Sequence, residues 1–117
     1  MKMEQTFMMI FRYSSNPDNK STTQEMLQMK KDWDNFIGNI AIKEKLESTH
    51  QLGYGGKQIS ADLNVSDGIL ISQNKTISGN MIVKANSIDE AVVMAKDCPI
   101  LKIGGSVEVR SIIPMEH

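Results

Sequence analysis

The chain has 117 residues, 40% hydrophobic and 23% charged, which suits one folded domain with a single core and excludes a disordered chain. Thirteen basic residues stand against fourteen acidic ones, and neither a Lys/Arg cluster nor aromatics interleaved with basic residues offers a nucleic-acid surface. One cysteine, Cys98, excludes an intrachain disulfide, and no window reaches the roughly 20 apolar residues of a membrane span.

The apolar run near the N-terminus, Phe7 to Phe11, is too short for a signal-peptide core and no small-residue cleavage site follows it. A cytoplasmic protein with no membrane and no nucleic-acid partner is expected. Phe7 to Tyr13 (FMMIFRY) is rich in β-formers and predicts a strand buried on both faces. Pro17, between Asn16 and Asp18, ends it in a loop.

From Thr22 to about Glu47 the pattern is helical. Met26, Met29, Trp33, Phe36, Ile37, Ile40 and Ala41 recur at three- and four-residue steps and form one apolar stripe. Thr22 with Glu25 three residues on has capping-box spacing. Gly38, in mid-helix, costs about 1 kcal/mol against alanine, which predicts a close packing contact there. Gly53-Tyr54-Gly55-Gly56 follows. Such a cluster cradles phosphate when it joins a strand to a helix N-terminus; after a helix and before strand-like sequence it predicts a turn.

Lys57 to Ser72 contains β-prone pieces broken near Ala61–Asn64 and again at Asp67-Gly68; a hairpin and a bent strand both fit. Met81 to Ala85 predicts a strand. SIDEAVVMAKDCP is the clearest helix signal, with Ser87 as N-cap, Glu90 as its reciprocal partner, and Ile88, Ala91, Val92 and Ala95 on one face. Pro99 blocks continuation, and Gly104-Gly105 turns the chain into a last strand from Ser106 to Ile113.

The order β-α-β(β)-α-β predicts an α+β, ferredoxin-like domain with an antiparallel sheet and two helices on one face. The other face, with consecutive apolar residues in Phe7–Phe11 and Met81–Val83, also needs cover. A homodimer packing sheet against sheet is the simplest solution.

MMIFRYSSNPD, KLESTHQLGYGGK, the Asp67-Gly68 step, SGNMIVKANSIDEAVVMAKDCPIL and GGSVEVRSI together resemble the YCII-related family, in particular its branch named for an Asp-Gly-Pro-Phe motif. The resemblance spans essentially the whole chain and implies a ferredoxin-like fold paired into a dimeric α/β barrel. Similar proteins follow the Asp-Gly with Pro and an aromatic, then a Glu, a Lys-Glu pair, and Gly-Gly with an aromatic. Here Ile69 and Leu70 stand for the first two, Ser72 for the Glu, and Asn74 and Lys75 for the Lys-Glu pair. Ser78, Gly79 and Asn80 replace the Gly-Gly-aromatic step, of which only Gly79 is kept. Another branch uses a His-Asp pair for proton transfer; the corresponding positions are Trp33 and Cys98, which cannot do the same work.

Four residues are candidates for a ligand site. Asp67 is either a general base or acceptor in a pocket or a turn residue capping its own backbone. His50 is placed in the loop after the long helix, beside Tyr54, which can line a cleft. Arg12, at the end of the first strand, is a snorkelling edge residue, an ion-pair partner for Glu108, or an anchor for an anionic ligand, and Arg110 admits the same readings. Trp33 belongs to the helix stripe and reads as core. Cys98, at a helix C-terminus, reads as a buried structural thiol. His117 is terminal. Two histidines and one cysteine without ligand spacing imply no metal, and no cofactor is implied. The expected function is a non-catalytic homodimeric module for a small molecule or a protein partner. The alternative is a cofactor-independent enzyme using Arg12 and Asp67 on a small polar substrate.

Overall fold

A computed structural model describes residues 4–14 and 22–115. Its central strand β1 (Gln5–Ser14) alternates: Phe7, Met9 and Phe11 are buried, while Met8, Ile10 and Arg12 are half-buried on the opposite face. The run expected to be buried on both faces is therefore covered on one. The expected loop at Pro17 and the terminal His117 lie outside the described residues.

Helix α1 (Thr23–Ile42) starts as expected. Thr22 Oγ1 accepts the Glu25 N–H at 3.1 Å and the Glu25 carboxylate returns to Thr22, completing the capping box. It ends earlier than its apolar pattern suggested. Lys45 N–H donates to Ile40 O at 3.1 Å and Glu44 N–H to Ala41 O at 3.0 Å, a Schellman stop with Glu44 at φ 59°. That left-handed position normally carries glycine. With glutamate there the sequence shows no stop, so the expected helix runs into the start of the following strand β2 (Leu46–Gln51) and the rest of that strand is expected as loop. His50 consequently lies in a strand, not a loop. Gly38 makes no close packing contact: a Cβ there would meet nothing within 4 Å.

The segment after β2 makes an excursion. Strands β3 (Lys57–Ile59) and β4 (Val65–Asp67) form a separate two-stranded hairpin, one of the two arrangements expected, and the glycine cluster joins β2 to it. Asp67 does not cap its own turn. Its carboxylate pairs across the hairpin with Lys57 Nζ, while Gly68, at φ 104°, donates its N–H to Gly56 O at 2.8 Å. The polar run Ser72–Lys75 closes another tight turn: Ser72 and Lys75 exchange backbone hydrogen bonds at 2.9 and 3.0 Å around Gln73 and Asn74, both at positive φ. It leads into β5 (Lys75–Ala85), longer than the expected Met81–Ala85.

Helix α2 (Ile88–Ala95) is capped by Ser87 Oγ, which accepts the Glu90 N–H at 3.2 Å. The box is only half made, because the Glu90 carboxylate goes to Lys45 and Asn86 instead. Ala91 and Ala95 are buried, while Ile88 and Val92 lie nearer the surface. Pro99 opens a short 3-10 turn (Pro99–Ile103), and β6 (Ser106–Ser111) completes the chain's strands.

The sheet order is β2-β5-β1-β6, all neighbours antiparallel, with the β3–β4 hairpin inserted between β2 and β5. Two helices on one face of this sheet make the mixed α+β, ferredoxin-like fold expected. The core fills the space between them: Phe7, Met9, Phe11, Met81 and Val83 from the sheet meet Phe36, Ile40, Ala91 and Ala95 from the helices. Among the described residues no helix is long and apolar enough to cross a membrane.

Candidate functional site

The apolar stripe of α1 is longer than the core beneath it. Phe36 and Ile40 are buried, but Met26, Met29, Lys30 and Trp33, about one to three turns before Phe36, reach beyond the packed centre. Between them and the sheet lies a cleft of about 480 Å³, within the roughly 300–1,000 Å³ typical of small-molecule sites. Phe11, Tyr13, Thr49 and Gly79 line it from the sheet, and Ile100 and Ile103 from the 3-10 turn.

A bulge shapes the sheet side. Phe11 pairs with Gly79 and Arg12 with Ile77, leaving Ser78 as the extra residue of β5. The Ser78 hydroxyl donates to Phe11 O at 3.3 Å, and Thr49 Oγ1 donates to Asn80 O at 3.1 Å. The Thr49 and Ser78 hydroxyls are thus committed to backbone in a mainly apolar wall. Trp33 stands edge-on to Phe11, with ring centroids 5.3 Å apart, and to Phe36 at 5.8 Å. These contacts fix the indole at the boundary between core and cleft. Lys30 is the one Lys, Arg, Asp or Glu among the described lining residues; its ammonium donates to Asp34 at 3.2 Å.

The four candidate residues are divided among different places. Tyr54 lines the cleft and is 69% exposed, as befits its mouth. His50 borders the cleft, but strand alternation sends its ring to the opposite face, where Nδ1 lies 2.9 Å from Asn80 Oδ1. Arg12 lies on that opposite face too, and its guanidinium donates to Glu108 Oε1 at 2.7 Å. Arg110 approaches the same carboxylate at 3.8 Å. Arg12 also borders a second depression of about 620 Å³ with Gly53, Gly55, Gly56, Lys57 and Lys75. Asp67 lies on the hairpin, highly exposed, and lines neither space. Asp67, Arg12 and His50 therefore do not converge on one pocket.

Trp33 and Cys98, at the positions of the other branch's His-Asp pair, are a cleft wall and a buried thiol. Desolvation pushes the Cys98 thiol up to about 11, with a backbone hydrogen bond at Ile100 pulling weakly the other way. Burial, rather than the helix dipole, sets this direction. Such a thiol is neutral and unreactive at neutral pH. Among the described residues no group of three or more His, Cys, Asp or Glu could hold a metal ion.

Sequence reasoning missed Tyr13, Met29 and Ile103 as lining residues. The available signal was the α1 stripe itself, which continues toward the N-terminus past the residues the core requires. The model of the YCII-related domain family matches residues 7–116. No curated protein matches the chain.

Proposed function

Since the chain belongs to the YCII-related domain family, we propose that it is a cytoplasmic, non-catalytic, homodimeric module that binds a small, largely apolar molecule in the cleft under α1. The observation that carries this reading is the composition of that cleft. Its walls are mainly aromatic and aliphatic, its Thr49 and Ser78 hydroxyls are spent on backbone, and Lys30 is its one Lys, Arg, Asp or Glu among the described lining residues. General acid–base work needs titratable groups converging within hydrogen-bond reach of one substrate atom, and the separation of Asp67, Arg12 and His50 supports binding over turnover.

The homodimer rests on the other face of the sheet. Met8, Ile10 and Ile82 form a half-buried apolar centre there, and the Arg12–Glu108 and Lys84–Glu47 ion pairs lie around it. An apolar centre inside a polar rim is the anatomy of a protein interface.

Trp33 is the chain's only tryptophan, so its emission reports directly on the cleft. A screen of small aromatic and aliphatic metabolites, read by Trp33 emission and thermal shift, should yield ligands that change both. A screen in which none changes either overturns the binding reading. Sedimentation at micromolar concentration should show a dimer.

A further inference from the structure

The depression beside Arg12, at the end of the sheet, differs in character from the cleft under α1. Its charged lining residues are Arg12, Lys57 and Lys75, and none of the described lining residues is Asp or Glu. The chain as a whole carries a net charge of −1, so this local excess of cations does not follow from a basic composition. Strand pairing brings two of the cations together. Arg12 stands opposite Ile77 on the β1–β5 ladder, and Lys75, two residues from Ile77, shares its face. Diagonal neighbours of this kind lie roughly 7–8 Å apart, close enough for like charges to repel. The acidic partners stay outside: Arg12 donates to Glu108 on β6, Lys57 pairs with Asp67 on the hairpin, and neither carboxylate lines the depression. The Glu108 contact engages one side of a planar guanidinium with further donors. Lys75, half-buried, has no ion-pair partner among the described residues.

The glycines on the same wall add a second observation. Gly56 is explained by packing, since a Cβ there would meet Ile69 Cγ2 at 2.9 Å. Gly53 and Gly55 are not: a Cβ on either would meet nothing within 4 Å, and neither has a positive φ. Among the described residues neither of their N–H groups donates to another backbone group. Bare backbone with unspent donors suits close approach by a bound molecule. We propose that this depression binds an oxyanion, a phosphate group or a carboxylate, between the Arg12 and Lys75 side chains, with the Gly53 and Gly55 N–H groups available as further donors. Such a group relieves the repulsion between the two cations and takes charge-assisted hydrogen bonds from both. The site is separate from the apolar cleft and does not depend on it.

NMR titration of the full chain with inorganic phosphate, and separately with acetate, at neutral pH and an ionic strength held constant with chloride, tests the site. The Gly53 and Gly55 amide signals should shift saturably, and the tighter of the two probes identifies the headgroup. Lys75→Gln should weaken that binding about tenfold or more, the worth of a hydrogen bond to a charged group. Lys75→Arg should retain it, and Lys31→Gln, exposed on α1, should leave it unchanged. Gly55→Ala should leave the melting temperature unchanged, because its Cβ has open space, yet weaken the anion severalfold by intruding on it. The absence of a saturable shift with either probe overturns the site, as does equal affinity in wild type and Lys75→Gln. Neither result bears on the cleft, which Trp33 emission reports separately.

Discussion

The carbonyl oxygen of His50 lies 2.5 Å from where a Cβ on Gly79 would stand. The two residues belong to neighbouring strands, β2 and β5, and both border the cleft. Glycine at position 79 is what lets β2 approach β5 this closely, so one missing methyl group sets the floor of the proposed binding site.

Gly79→Ala should therefore be destabilising by about 1–3 kcal/mol, the usual cost of forcing atoms into a packed site. The obstacle is backbone, which cannot rotate away. Chemical denaturation should show the loss, and exchange of the β2 amides should accelerate because that strand must move.

Two positions along and after α1 should respond in the opposite sense. Gly38 sits in mid-helix with open space where a Cβ would go, and Glu44 occupies a left-handed position suited to glycine. Gly38→Ala should stabilise by about 0.5–1 kcal/mol by reducing the freedom of the unfolded chain. Glu44→Gly should stabilise by up to about 1 kcal/mol by removing the left-handed strain. Thermal melts of the single and double variants check both. The effects should add, since Gly38 is more than a turn from the helix end.

Trp33 separates core from cleft, and its replacement should affect both. Trp33→Ala should cost about 2–3 kcal/mol, less than the roughly 3–5 of a fully buried tryptophan, because the indole is only half-buried. Ligands identified through Trp33 emission should lose affinity on this substitution when measured by calorimetry. Trp33→Phe should retain most of the stability, because an aromatic edge can still meet Phe11.

Cys98 should make stability fall at alkaline pH. Its thiol is raised from the ordinary 9.0 to about 11 by burial, so between these values the folded state holds a proton that the unfolded state has released. Its contribution is fully present below about pH 9 and is lost as pH rises through about 11. The stability difference between wild type and Cys98→Ala should shrink across that window. At pH 8 the native thiol should resist iodoacetamide and react only on unfolding.

Residues that act locally were legible in the sequence. The Thr22 and Ser87 caps, the β-prone run of β1 and the Pro99 stop depend on neighbours within a turn or two, and they sufficed for the order of most elements and the fold class. β2 escaped because its boundary is a Schellman turn built on glutamate, whose sequence looks like continuing helix. The polar run at Ser72–Lys75, where family motif residues suggested chemistry, is a turn whose left-handed residues are Gln73 and Asn74.

What the sequence by itself determined, then, is a ferredoxin-like α+β chain with two capped helices on an antiparallel sheet, because helix and strand periodicities are written in residues close together. Only the tertiary structure decided which candidates share a place. The register of β1 and β2 on β5 turned His50 and Arg12 away from the cleft and set Asp67 on the hairpin. Moving a strand by one residue sends every side chain to the other face, and that choice is made by partners tens of residues away.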